Sequence, residues 1–263
     1  MKGLINFISE IRISKTSERE SRRVNRELAK IRKKFKFFAD GRQADSYQKM
    51  KYLCKLMYIY LLGYDINFGH IEAVNMTASS KFLEKQIAYL FISLLCGDES
   101  MLRLIVHSLR LDLCSEDNEV VCLALKCIAN NFIEELAEDI VNQFFLGNNL
   151  VSSDYLRSKA TLCLLSLYRR DPSTVPVSII IPHLFKSLGS LNLGLLSSTL
   201  SLLLTLAIDF PDACKACLPK LIHILSERTD KKYIEKNGRA VYINIKILQM
   251  IRLYPPLGQL SLY

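Results

Sequence analysis

The sequence predicts an all-α protein built of stacked antiparallel helix pairs, and three observations carry that expectation. Gly and Pro number only 10 and 7 among 263 residues and Trp is absent, so helix-breaking punctuation is sparse. Apolar residues recur at helical spacing in Leu-rich segments of about 10 to 18 residues. Those segments come in pairs with a period of about 35 to 45 residues and no strict identity between repeats, the signature of a HEAT/armadillo-like right-handed α-solenoid rather than a closed bundle. With 50% hydrophobic and 23% charged residues, the chain has the material for a large core.

The first helix starts near Leu4, where Leu4, Ile5, Ile8 and Ile11 mark an apolar stripe. Ser17, followed three residues later by Glu20, is a capping-box signature for a second helix over 18–35. Its inner stripe is Val24, Leu28, Ile31 and Phe35, and its outer face carries Arg22, Arg23, Arg26, Lys30, Lys33 and Lys34. After a loop holding Asp40 and Gly41, Ser46 is placed to cap a third helix that runs to Leu62 and stops at Gly63. Leu53, Leu56, Met57, Tyr60 and Leu61 form its expected apolar face, while Lys51 and Lys55, four apart, share a side. Helical segments then follow at 70–79, 84–95, 99–111, 118–130, 133–146, 153–170, 177–188, 193–208, 212–226 and 239–253. Gly97-Asp98, Ser115 to Asn118, Gly147 to Asn149, Asp171-Pro172 and Phe210-Pro211 punctuate them.

The longest uncharged stretch, 187–208, approaches the ~20 residues that cross a bilayer. Its Gly, Asn, Ser and Thr interruptions predict a buried central helix after a turn instead. The beginning of the chain carries a charge after a few apolar residues and lacks a small-residue cleavage site, so no signal peptide is expected and the compartment is read as cytosolic. Residues 1–263 read as one trunk without an internal linker, and Arg228 to Gly238 as an exposed loop. No polar sealing repeat precedes Tyr254-Pro255-Pro256, which predicts that the stack belongs to a longer trunk or has its open end covered by a partner.

Charge is the feature that points to function. The first 60 residues hold 16 Lys and Arg against 6 Asp and Glu, so the net +9 of the chain is confined to one end of an otherwise neutral body. Nine of those cations fall between Lys30 and Lys55, with Tyr47 and Tyr52 among them. Charge concentrated in this way raises the local concentration of a polyanion. From the residues alone the expectation is an anion-binding surface on a helical scaffold, and both an anionic membrane and nucleic acid fit it. Phe37 and Phe38 could stack bases, although no known RNA-binding module is present.

Catalytic and metal chemistry find no support. The four histidines, 70, 107, 183 and 223, sit in no hydrolase or metalloprotease motif. His70 reads as a surface or capping residue, and Glu134, Glu135, Glu138 and Asp139 as a solvated face. Cys214 and Cys217 have the spacing of half a zinc site with no second pair to complete it, and the eight cysteines read as small core residues of a reducing compartment. The loop 189–194 lacks the strand and lysine of a nucleotide site. Neither enzyme nor cofactor is expected.

Whole phrases of the chain resemble the alpha-adaptin family, at the N-terminal trunk of the large subunit of the plasma-membrane clathrin adaptor. They include Gly3-Leu4, Phe7 to Arg12, Asn25 to Ala29, Lys34-Phe35-Lys36, Lys51-Tyr52, Cys54-Lys55-Leu56, Leu61 to Gly63 and Phe68-Gly69-His70 with Glu72 to Asn75. Glu84 to Ile87 and Tyr89 to Ser93 continue the likeness; further on it is looser, through Leu162 to Arg169 and Tyr254-Pro255-Pro256. Gamma-type adaptins share the Leu-Gly-Tyr and Phe-Gly frame, and remain the alternative within the family.

The resemblance implies a peripheral protein on the cytoplasmic face of the plasma membrane, in clathrin-coated pits, with a cytosolic pool. The implied partners are phosphatidylinositol 4,5-bisphosphate membranes, a sigma-type small subunit with the other subunits of a heterotetramer, and dileucine cargo tails, with no nucleic acid. The implied inositide site is Lys2, Gly3, Lys34, Lys36, Tyr47, Lys49, Lys51, Tyr52 and Lys55, and the implied cargo contact is Arg12. Met50 stands where the family has a third lysine, and the loop after Phe35 is about three residues longer. The family's hinge and ear lie outside this trunk portion.

Overall fold

The computed structural model describes residues 2–39, 45–95, 99–146, 153–229 and 241–254. The expected features at Asp40-Gly41, Gly97-Asp98, Gly147 to Asn149, 230–238 and Pro255-Pro256 lie outside them. Helix accounts for 84% with no strand among the described residues, in keeping with the all-α solenoid class. The chain divides into two compact units, Met1–Asp112 and Leu113–Tyr263.

The first unit contains α1 (Lys2–Ile13), α2 (Ser17–Ala39), α3 (Ser46–Leu61), α4 (His70–Thr77), α5 (Phe82–Leu95) and nearly all of α6 (Glu99–Leu113). α3 packs on both α2 and α5, and α4 on α5. That pattern, each helix touching the next and the next but one, stacks pairs instead of closing a ring. Phe7 and Ile11 of α1 are buried with Val24 and Ile59, whereas Ile5, counted in the expected stripe, is exposed. α2 runs four residues beyond its expected end. Its cap is Thr16, not Ser17: the Arg19 amide donates to Thr16 Oγ1 at 3.4 Å, and Glu20 turns away to accept from the Tyr64 hydroxyl at 3.2 Å. α3 is capped by Asp45, whose carboxylate accepts from the Tyr47 amide. Ser46, the expected cap, instead donates to Glu84 Oε1 at 2.6 Å and ties the start of α3 to α5.

The stop at Gly63 has the expected chemistry. Its amide donates to the Tyr60 carbonyl and that of Tyr64 to the Ile59 carbonyl, a Schellman pair around φ +93°. Tyr60 and Leu61, expected on the inner face of α3, are exposed here, and Ile59 of the same turn takes the buried position against Phe7, Ile11 and Val24. Gly69 (φ +98°) is tighter: a Cβ there would lie 2.8 Å from Leu56 Cδ1 and 3.3 Å from Phe91 Cζ. Gly69→Ala is therefore expected to cost about 2–3 kcal/mol in urea unfolding, against about 1–2 kcal/mol for Gly63→Ala, which meets only the backbone term. Equal costs would show that the packing around Gly69 relaxes freely.

The second unit holds α7 (Asn118–Asn131), α8 (Ala137–Val141), α9 (Asp154–Arg170), α10 (Val177–Ser187), α11 (Leu193–Asp209), α12 (Pro211–Lys215), α13 (Leu218–Thr229) and α14 (Val241–Arg252). α9 packs on α7 and α11, and α11 on α14. α11 carries no charge from Leu195 to Ile208 and is packed against α9, α10, α12 and α14; no helix of the described residues is long and apolar enough to cross a membrane. Two expected helices are broken. The segment 133–146 becomes a 3-10 turn, the short α8 and a π turn, after Phe132 ends α7 in a left-handed conformation with φ 53°. The segment 212–226 breaks at Ala216-Cys217, since Pro219 has no amide to offer Lys215 and its ring would crowd that carbonyl.

Burial pushes the thiols of Cys54 and Cys214 up to about 11 and those of Cys163 and Cys217 up to about 12. They remain protonated packing groups at neutral pH. Among the described residues no cluster of three or more His, Cys, Asp or Glu is placed to hold a metal ion.

Candidate functional site

The basic end of the first unit is organised by how α1 lies along α3. A Cβ on Gly3 would be 3.8 Å from Lys51 Cδ, and Phe7, one turn on, lies beneath the Lys55 ammonium at 5.3 Å and against the Tyr58 ring at 6.1 Å. Steps of four in α1 meet steps of four in α3, so the two helices run in the same sense here. Lys51 stands at the open N-terminal end of α1. Lys55, one turn further, is covered.

That covering corrects the expectation for two residues. Lys55 is only 5% exposed and is ion-paired with Glu27, itself 3% exposed, so its charge is spent inside the protein. Glu27 also accepts from Arg23 Nη1 at 2.8 Å, and Arg23 reaches Glu10 and lies over the Phe7 ring at 4.9 Å. Burial by itself would raise the Glu27 carboxyl, but the hydrogen bonds and charges of Lys55 and Arg23 outweigh it and hold the group below its ordinary value. Tyr52 is likewise 5% exposed; burial, helped by the Glu27 charge, raises its hydroxyl. Both side chains are thus buried in this structure, whereas the sequence placed them on a ligand-binding surface.

Tyr52 has a different task. Its ring joins Phe35 at 6.1 Å and Phe38 at 6.3 Å, and Phe37 meets Phe38 edge to face at 6.5 Å. The resulting aromatic seam joins the end of α2 to the start of α3. A cation sits at each side of it: Lys34 over Phe37 at 5.7 Å and Lys51 over Tyr52 at 5.0 Å. Lys2 and Gly3 are exposed at the start of α1, and Tyr47, exposed, shares the Lys51 side of α3 at a spacing of four. The first amides of α1 have no partner within their helix, so the backbone adds positive potential beside Lys51.

Lys36 and Lys49 part from this group. Lys36 lines a cleft of about 550 Å³ with Arg32, Phe68 and His70, where Arg32 donates to Asn67 Oδ1 at 3.0 Å. Lys49 falls roughly 160° around α3 from Lys51. Met50 is 9% exposed, so the methionine at this position points into the core. Arg12 is exposed in the last turn of α1, about 14 Å along the axis from Gly3. His70 opens α4, its ring 5.8 Å from that of Phe91.

Sequence reasoning overlooked Glu27, although a signal was present: it interrupts the buried stripe Val24, Leu28, Ile31 with a carboxylate, and Lys55 interrupts the stripe Leu53, Leu56, Ile59 with an ammonium. Two opposite charges placed in two inner stripes are candidates for each other. The Ser46–Glu84 tether was also missed. Ser46 and Ser79 hold both oxygens of Glu84, lowering its carboxyl and fixing the helix start that carries Tyr47 and Lys51.

Fold and site together define a helical-repeat scaffold whose first unit has one strongly basic edge. Residues 20–261 match the family described as the Adaptin N terminal region. The chain belongs to the adaptin family. Over 97% of its length it is 35% identical to the AP-2 complex subunit alpha-2 of Dictyostelium discoideum, covering 26% of that protein. It is 32% identical over 98% of its length to the AP-1 complex subunit gamma-1 of Schizosaccharomyces pombe, covering 30% of it. Among solved structures, a homology model of the full-length AP-3 complex in an intermediate open conformation aligns with a TM-score of 0.59 at 22% identity, covering 80% of this chain and 35% of that one. The last likeness concerns the fold alone. The resemblance to alpha-type trunks read from the sequence agrees with the AP-2 alpha match, and the chain spans about a quarter of the length of the curated relatives it matches.

Proposed function

We propose that the chain acts as the N-terminal trunk of a clathrin adaptor large subunit, a structural and non-enzymatic part of a multi-subunit complex in vesicle transport. Its basic edge docks on bilayers containing phosphatidylinositol 4,5-bisphosphate. The observation that carries this reading is the approach of Gly3 to Lys51 at the open N-terminus of α1, with Lys34 across the aromatic seam. Backbone amides, two ammonium groups, Lys2 and the Tyr47 hydroxyl are the donor set that a multiply phosphorylated headgroup requires.

The headgroup patch is thus Lys2, Gly3, Lys34, Tyr47 and Lys51, with Lys36 and Lys49 as flanking surface charge. In the same reading Arg12, at the far end of α1, meets the acidic residue of a dileucine cargo tail, and a sigma-type small subunit covers part of the trunk. The alpha type, and so the plasma membrane and coated pits, is preferred over the gamma type on the phrases around His70 and Asn75.

Co-sedimentation with vesicles tests the reading. Vesicles holding phosphatidylinositol 4,5-bisphosphate are expected to retain the chain at least tenfold better than phosphatidylserine vesicles of equal charge, with a steep loss as salt screens the patch. Equal retention would reject headgroup recognition, and preference for RNA in the same salt would transfer the basic edge to nucleic acid.

A further inference from the structure

In the second unit, α9 and the end of α7 border a groove of about 400 Å³ lined by Phe132, Leu162, Leu165, Ser166, Arg169 and Arg170. Leu162, Leu165, Ser166 and Arg169 recur at helical spacing, so a single side of α9 supplies most of the lining. Leu162 is 42% exposed although it is apolar. The facing wall is Phe132, whose φ of 53° is a left-handed conformation that a bulky residue adopts only at a cost. That conformation ends α7 and leaves the ring half-buried beneath the Arg170 guanidinium, 4.5 Å away. Ser166 Oγ donates to the Ala129 carbonyl at 3.1 Å and ties α9 to the last turn of α7.

Both arginines stand in the last turn of α9, where the carbonyl end of the helix favours cations. Neither is ion-paired among the described residues, and the lining contains no carboxylate. Asp171, next in sequence, accepts from the Ser173 amide at 2.9 Å. Glu134 and Glu135 lie in the turn after Phe132, exposed and outside the lining. The Phe132 ring restrains the Arg170 head and offers it no counter-charge.

We propose that this groove docks a peptide segment of a partner protein in which an aliphatic or aromatic side chain is accompanied, about one helical turn away, by one or two carboxylates. The apolar side chain covers Leu162 and Leu165 against Phe132. The carboxylates take the forked N–H groups of Arg169 and Arg170, one turn of α9 beyond Leu165. Charge complementarity selects this occupant. An anion carrying only phosphates satisfies the arginines and leaves Leu162 in water, whereas a wholly apolar partner covers two guanidinium groups without pairing them. None of these residues belongs to the patch on α1, α2 and α3.

The test is fluorescence polarisation of the full chain with the fluorescein-labelled, C-terminally amidated peptide Ser-Leu-Phe-Ser-Asp-Asp, alongside methyl NMR of Leu162 and Leu165. Exchanging both Asp of the peptide for Asn is expected to weaken binding at least tenfold, and so is the variant with Arg169→Gln and Arg170→Gln. Leu162→Ser, a change at an exposed side chain, is expected to weaken it about fivefold. The variant with Lys34→Glu and Lys51→Glu is expected to keep the preference for the Asp peptide, which separates this groove from the lipid patch. Equal binding of the Asp and Asn peptides by the unmodified chain overturns the proposal even if the Gln variant misfolds. Absence of saturable binding, or methyl shifts that spare Leu162 and Leu165, overturns it as well. Competition by inorganic tripolyphosphate as strong as that by unlabelled peptide would give the arginines to a small anion, and self-association abolished by Leu162→Ser would give the groove to a second copy; either result rejects peptide docking.

Discussion

Replacing Glu27 with Gln is expected to remove about 3–5 kcal/mol from the stability of the first unit, the cost of leaving buried cations without their counter-charge. Lys55 lies inside the helix packing with Glu27 as its ion-pair partner among the described residues, and Arg23 loses one of its two carboxylates. Hydrogen exchange of the α2 and α3 amides is the direct readout. A double variant, Glu27→Leu with Lys55→Met, is expected to regain most of the loss, since two apolar groups of similar size leave nothing unpaired. A loss under 1 kcal/mol in the single variant would mean that water reaches the pair.

The same triad sets an acid dependence. Because the folded Glu27 carboxyl lies below the unfolded 4.5, its contribution is fully present above that pH and is lost as pH falls through the lower folded value. Glu84, lowered chiefly by the Ser46 and Ser79 hydroxyls, acts in the same direction. Acid unfolding is therefore expected to free the start of α3 together with α1, and Glu27→Gln is expected to flatten the pH profile of the first unit below 4.5.

Reversing Lys34 and Lys51 to Glu is expected to carry the largest loss of binding to phosphoinositide vesicles. A basic residue near an anionic surface contributes about 1 kcal/mol, so removing two cations alone amounts to about 30-fold; reversal adds repulsion. Lys49→Glu, on another side of α3, is expected to change affinity only about threefold. Lys55→Gln is expected to lower stability and leave headgroup affinity intact at a temperature where the variant is folded. Vesicle flotation at two salt concentrations separates these outcomes. Full binding by the Lys34/Lys51 reversal would remove the patch from the lipid surface.

Reading charge along a chain does not distinguish Lys51 from Lys55. Both sit on the same side of α3, four apart, among similar neighbours. What separates them is α1, which begins beside Lys51 with a glycine and packs Phe7 under Lys55. The capping errors have a similar origin. Thr16 and Ser17 are chemically alike, as are Asp45 and Ser46, and the choice within each pair depends on what else the neighbouring helices ask of it, Glu84 claiming the Ser46 hydroxyl.

The local properties of this protein were set by its sequence: the helices, their apolar stripes, the stop at Gly63, the confinement of the net positive charge to the first 60 residues and the phrases that place it among the adaptins. These depend on residues within a few turns of each other, where periodicity and turn chemistry operate. Only the tertiary structure decided which cations face solvent, that Met50 belongs to the core, and that Phe132 lines one groove with Leu162 and Arg169. Each of those outcomes depends on a helix distant in sequence covering or uncovering a side chain. Exposure is a property of the packing partner, and the spacing of residues along a single helix does not contain it.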